Sequence, residues 1–306
     1  MSSETPPRLF DRTLLRRRRD RAAASLPDFG FLVERAAEDL ADRLVPIMRD
    51  FPLALGLGGA GTIGRAFQDN PDAAAKIGHL IESDLSILAA NHAEQASLVM
   101  DEEMFALADE SLDLVVSPLS LHWANDLPGT LIQINRALRP DGFFAAALIG
   151  GASLTELRQC LMAAESELTG GVNARVSPFA NAQDLSSLLQ RAGFTLPVAD
   201  VDRMTVRYDN LFALLRDLRG MGETNVLAER ARTPATRAMF LRAAEIYQER
   251  FSDPDGRIRA TFEIVHAAGW APHPDQPKPK RPGSATVRLA DALGVREISA
   301  GEKAGG

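Results

Sequence analysis

The residues able to do chemistry in this chain cluster directly after short apolar runs. The first cluster is Gly58-Gly59-Ala60-Gly61-Thr62-Ile63-Gly64, which follows the run Phe51 to Leu57. A glycine turn that opens a helix frees backbone N–H groups and lets a ligand approach the chain, so it suits an anion or a nucleoside. Gly59, Gly61 and Gly64 match the G-x-G-x-x-G dinucleotide pattern, although a tight structural turn reads the same way. Asp84 stands after the next run, where its carboxylate can accept both hydroxyls of a ribose, in NAD and in S-adenosylmethionine alike. After the third run comes Asp101-Glu102-Glu103, placed to accept from an adenine amino group or to form a solvated acidic loop. After the fourth comes Ser117-Pro118-Leu119-Ser120-Leu121-His122-Trp123, which puts a histidine and an aromatic where ligands bind open α/β sheets.

Strands must place these clusters. Phe51 to Leu57, Ile77 to Ser83, Ser97 to Met100, Leu112 to Pro118 and Phe143 to Ile149 read as buried strands, separated by helices such as Leu85 to Asn91 and Pro128 to Leu138. Arg139-Pro140-Asp141-Gly142 reads as the turn before the fifth strand. Such alternation demands crossover connections, and so an α/β, doubly wound, mostly parallel sheet. Leu196 to Tyr208 and Arg259 to Trp270 add two strands as an antiparallel pair at one edge, giving seven. An amphipathic helix from Phe29 to Leu44 precedes the sheet, and Leu154 to Leu168, Ala182 to Ala192, Leu211 to Leu218 and Pro234 to Phe251 carry apolar faces in the second half. The expected organisation is a helical segment over 1–50, one domain over 51–272 with a helical insertion at about 204–252, and a proline-rich, loosely ordered tail over 273–306.

Composition removes several classes of function. With 45% hydrophobic and 25% charged residues among 306, the chain can bury a sizeable core. A lone cysteine, Cys160, excludes an internal disulfide and a cysteine zinc cluster. A net charge of −7 argues against a nucleic-acid coat, and the absence of a long uninterrupted apolar run argues against a membrane span. The segment Leu9 to Ala24 is arginine-rich, but Asp11 and Asp20 disfavour a transit peptide. Arg16 to Arg19 within it form either a solvated helix face or a contact for an acidic partner or membrane surface.

The succession of glycine turn, Asp84, acidic cluster, Leu112-Asp113-Leu114-Val115-Val116-Ser117 and Leu138-Arg139-Pro140-Asp141-Gly142 resembles the class I S-adenosylmethionine-dependent methyltransferases, with a Rossmann-like fold. Other segments resemble more closely the mitochondrial and alphaproteobacterial complex I assembly factors of that fold, described as arginine hydroxylases. These are Leu9-Phe10-Asp11-Arg12, Ser117 to Pro128, Gly150 to Arg158, Leu218 to Asn225 and Gly283-Ser284-Ala285-Thr286-Val287. The malonyl-carrier-protein O-methyltransferases share the core less completely. The resemblance implies S-adenosylmethionine as cofactor, held by Gly56, Gly58, Gly59, Gly61, Asp84, Leu85, Asp101, Glu102, Ser117 and Leu119. It also implies a complex I subunit as protein substrate, in the bacterial cytoplasm or, in a eukaryote, the mitochondrial matrix. A small-molecule or carrier-bound carboxyl O-methyltransferase and a non-catalytic assembly scaffold are the alternatives.

The chain departs from the family at Gly56, where an acid usually ends the first strand. One missing charge-assisted hydrogen bond weakens cofactor binding by about 1–3 kcal/mol, roughly tenfold to a hundredfold, and Gly56→Asp is the variant that tests the gap. His122 is the foremost polar candidate to face the substrate, with Trp123 as an apolar wall. An arginine substrate needs a carboxylate partner once its guanidinium is desolvated, and Glu156 and Glu223 are the two candidates. None of the five histidines forms a His-x-Asp or His-x-Glu pair, so spacing points to no metal site.

Overall fold

A computed structural model describes residues 8–277, 287 and 289–296. Its strands are β1 (Phe51–Leu57), β2 (Ile77–Asp84), β3 (Ala96–Val99), β4 (Leu112–Pro118), β5 (Leu138–Ile149), β6 (Thr195–Tyr208) and β7 (Ile258–Trp270). They form one sheet in the order β3-β2-β1-β4-β5-β7-β6. The first five pair in parallel, and β7 runs antiparallel to both β5 and β6. This is the seven-stranded, doubly wound sheet that the apolar runs imply. It places the carboxyl ends of β1, β2, β3 and β4 side by side.

Side-chain alternation divides the core into two layers. Leu114 and Val116 of β4, with Phe143, Ala145, Ala147 and Ile149 of β5, face one apolar layer, whereas Val115, Phe144, Ala146 and Leu148 face the other. A strand buried on both faces has no polar side to present, which is why these runs read as continuous apolar sequence. The first layer is covered by α3 (Phe31–Leu44), α4 (Thr62–Asp69), α8 (Thr155–Thr169), α10 (Leu211–Gly220) and α11 (Arg237–Phe251). The second lies under α7 (Leu127–Ala137) and α9 (Ala182–Arg191). Three shorter turns of helix are α2 (Leu26–Phe29), α5 (Pro71–Ala74) and α6 (Ile87–Ala90).

Several local expectations shift. The helix expected from Phe29 breaks at Gly30, whose backbone (φ −80°, ψ 3°) leaves helical geometry, so α2 and α3 are separate. The helix expected over Leu85 to Asn91 shrinks to α6. Pairing of β5 with β4 begins already at Leu138, and Arg139 to Gly142 bulge out of register before pairing resumes at Phe143. The helices between β6 and β7 start after Tyr208, because β6 stays paired with β7 to that residue.

Residues 8–50 are not a separate unit. The helix α1 (Arg12–Ala23) buries Leu15, Ala22 and Ala23, and α3 packs on the sheet. Contacts group the chain through Pro272 as one unit and the residues from His273 onward as another. In the second unit the described residues include a short helix, α12 (Leu289–Leu293). Pro279, Pro282 and Gly283 to Thr286 lie outside the described residues.

Candidate functional site

The glycine turn crosses from β1 to α4 through left-handed backbone, with φ near 80° at Gly58, Gly59 and Gly61. At these positions a side chain would be strained, and there is no room for one. A Cβ at Gly58 would fall 2.4 Å from Ser120, and one at Gly61 2.6 Å from the His92 carbonyl. Ser117 Oγ donates to the Leu57 carbonyl at 2.9 Å, tying the ends of β4 and β1 together. Leu119 sits beside the turn with φ 45° and lines a cavity of about 60 Å³ with Gly59, Ala60 and Asp84. Gly56 lies inside β1 and Leu85 packs under α1 with Phe10, Leu15 and Trp123, so neither faces that cavity.

The acids predicted at the strand ends converge, but on partners that spacing did not foretell. Glu102 is 1% exposed and receives Arg19 at 2.8 Å, together with close contacts from Arg12 and the Ser120 hydroxyl. Arg12 also donates to Asp101 at 2.6 Å, and Arg19 approaches Asp84 at 3.6 Å. Asp84 accepts from the Ser86 N–H at 2.9 Å. Two guanidiniums from α1 therefore neutralise the carboxylates at the ends of β2 and β3. Within Arg16 to Arg19 only Arg16 and Arg17 are exposed, while Arg18 donates to Thr224 Oγ1 at 2.5 Å. A usable signal existed in the helical spacing, since Arg12, Leu15, Arg19, Ala22 and Ala23 repeat every three or four residues and share the inward face.

The electrostatics follow from this packing. Burial alone would raise the Glu102 carboxyl, but Arg19, Arg12 and Ser120 outweigh it and hold the group at about 2. Asp84 goes the other way, because burial outweighs the help of Arg19 and the Ser86 N–H and moves its carboxyl upward. A group whose folded pKa is depressed stabilises the fold above its ordinary pKa and loses that contribution as pH falls toward the folded value. The thermal midpoint is thus expected to fall from about pH 5 toward about pH 2, and Glu102→Gln is expected to flatten that slope. An equal slope in the variant would show that Glu102 is not held by the guanidiniums.

A second cavity, of about 230 Å³, opens beyond Leu32, Ile149 and Met221. Its walls include Trp123, Phe179 and Glu223, and Glu223 lines both cavities. Trp123 Nε1 donates to Glu223 Oε1 at 3.3 Å, and His122 Nε2 lies 3.5 Å from Oε2. Phe179 meets His122 and Trp123 edge-on, with ring centroids 5.6 and 6.1 Å apart. His122 and Trp123 thus come together with Glu223, which arrives from about a hundred residues further along the chain on the loop after α10. Backbone pairing of Asp11 with Val226 and of Ala228 with Leu9 straps that loop to the N-terminal segment. Asn125 exchanges hydrogen bonds with the backbone of Phe10, which joins two of the resemblance segments.

Glu156 is not part of this arrangement. Its carboxylate accepts from the N–H and hydroxyl of Thr261, at 3.2 and 2.5 Å, and anchors the first turn of α8 to β7. It was a natural candidate by sequence because it follows β5, but the first turn of α8 presents it to the strand. Gly150 to Ser153 have a similar structural role. Glu263 accepts from Ala152 N–H, and its backbone exchanges hydrogen bonds with Ser153.

A nucleoside fits the N–H donors of the glycine turn and the carboxylate acceptors of Asp84 and Glu102, with the condition that it displaces Arg12 and Arg19 from those oxygens. Among the described residues no group of three His, Cys, Asp or Glu stands together as a metal site, and no helix is long and apolar enough to cross a membrane.

Residues 55–146 match a family model described as a methyltransferase domain. The mitochondrial arginine-hydroxylase NDUFAF5 of Mus musculus is 39% identical over 314 residues, spanning 99% of this chain and 90% of that protein. A malonyl-[acyl-carrier protein] O-methyltransferase of Gallionella capsiferriformans is 31% identical over 64% of each chain. Among solved structures, the YcgJ protein of Bacillus subtilis superposes with a TM-score of 0.53 at 12% identity, over 78% of this chain and 99% of that one, a likeness of fold alone.

Proposed function

Since this chain belongs to the NDUFAF5 arginine-hydroxylase family of methyltransferase-fold enzymes, we propose that it binds S-adenosylmethionine and modifies an arginine side chain of a protein partner. The partner of this reading is a subunit of respiratory complex I, met in the bacterial cytoplasm or, in a eukaryote, in the mitochondrial matrix. The observation that carries it is Glu223, a carboxylate set among Trp123, His122 and Phe179 where the two cavities meet. A guanidinium entering this space leaves water, so it needs a carboxylate at its edge, and aromatic surfaces favour its faces. Glu223 supplies the first and Trp123 and Phe179 the second. When bound, S-adenosylmethionine supplies a sulfonium-activated methyl group. Gly58, Gly59, Gly61, Asp84, Asp101, Glu102 and Leu119 are the residues that would hold it.

One observation favours a second reading, a scaffold without catalysis. Arg12 and Arg19 already satisfy the carboxylates that a nucleoside would use. Calorimetric titration with S-adenosylhomocysteine, together with mass spectrometry of complex I subunits from cells with and without the chain, separates the two. The enzyme reading expects micromolar binding and, only when the chain is present, an arginine that gains either a methyl group, with S-adenosylhomocysteine leaving, or an oxygen drawn from dioxygen with a two-electron reductant. Absence of both effects would leave the scaffold.

A further inference from the structure

Gly56 of β1 lies directly beside Glu82 of β2 in the parallel register. A Cβ at Gly56 would fall 3.2 Å from Glu82 Cγ and 3.7 Å from Oε1. A Cβ at Gly64, in the first turn of α4, would fall 2.7 Å from Glu82 Oε2. Two glycines on two different elements therefore make room for one carboxylate. Glu82 is 2% exposed, and Oε1 accepts the Gly64 N–H at 3.1 Å. Oε2 is buried and has no hydrogen-bond partner among the described residues.

A buried carboxylate is costly, and a sheet interior offers many cheaper side chains. What this one does is hold the N-terminal end of α4, where its Oε1 accepts the Gly64 N–H near the positive end of the helix dipole, while burial moves its carboxyl upward. The glycine turn ends in that same first turn of helix, so Glu82 ties the far end of the turn to β2 beside Gly56. We propose that Glu82 supplies from β2 the carboxylate that position 56 lacks on β1, and that it is the positioning residue for the cofactor turn. This rests on the cofactor reading above. Because positions 56 and 82 share one volume, an acid is expected to serve at either but not at both. The gap at Gly56 is then already filled, and restoring an acid there alone is expected to harm binding rather than improve it.

The test is a double-mutant cycle on the full chain, read by calorimetry with S-adenosylhomocysteine and by thermal unfolding. Glu82→Ala is expected to weaken S-adenosylhomocysteine binding about tenfold or more, and Gly56→Asp to weaken it as well, because it sets a second carboxylate against Glu82. The double variant Gly56→Asp/Glu82→Ala is expected to bind more tightly than either single variant and to unfold at a higher temperature than both. If Glu82→Ala does not fold, Glu82→Gln takes its place in the cycle. Tighter binding by Gly56→Asp with Glu82 present, or a double variant no better than Glu82→Ala in both readouts, overturns the proposal. Wild-type protein that fails to bind S-adenosylhomocysteine overturns the cofactor reading, and the unfolding cycle then decides by itself whether the two positions share one carboxylate.

Discussion

Arg19→Ala is expected to lower the unfolding free energy by about 3–5 kcal/mol, a fall of about 10 °C in the thermal midpoint. Arg19 is the residue of α1 that touches both strand-end acids, at 2.8 Å for Glu102 and 3.6 Å for Asp84. Removing it leaves two buried carboxylates, with Arg12 and the Ser120 hydroxyl still on Glu102 and only local N–H donors on Asp84. Uncompensated burial of charge is what makes the loss large. A surface arginine of the same helix, such as Arg16, is expected to change stability by less than about 0.5 kcal/mol. A midpoint for Arg19→Ala within a degree or two of wild type would show that the cluster contributes no net stability.

Glu223→Gln is expected to weaken binding of an arginine-containing partner by about a hundredfold and to abolish the modification, while leaving S-adenosylhomocysteine affinity within about threefold. The amide keeps the shape and the contacts with Trp123 and His122 but presents an N–H group to the guanidinium where an anion is needed. About 2–3 kcal/mol for a charge-assisted pair in a desolvated site sets the magnitude. Isotope-labelled peptide binding and mass spectrometry of the product check it. Unchanged partner affinity would remove Glu223 from the substrate site and leave the cavity without a charged recognition group.

The difference between Glu223 and Glu156 shows how far sequence alone reaches. Both were candidates for the same task, and nothing in their local spacing separates them. Only the packing of α8 against β7 turns Glu156 to Thr261, and only the strap between the N-terminal segment and residues 226–228 brings Glu223 to Trp123. The same holds for Arg19, whose inward face can be read from a helical repeat but whose partners lie 65 and 83 residues away. Glu82 was missed for a related reason. Its significance comes from Gly56 beside it in register, and register between parallel strands joined by a crossover is not written in either strand.

By itself the sequence determined the strands, their alternation with helices, the glycine turn and the acids that end β2 and β3. Apolar periodicity and turn chemistry act over a few residues, and so they are legible over a few residues. The tertiary structure alone decided which charges meet: Arg12 and Arg19 with Asp84, Asp101 and Glu102, Glu223 with Trp123, and Glu82 in the space of two glycines. Ionic and hydrogen-bonded partners are selected by proximity in space, and a desolvated charge takes whichever complementary group the fold brings within about 3 Å.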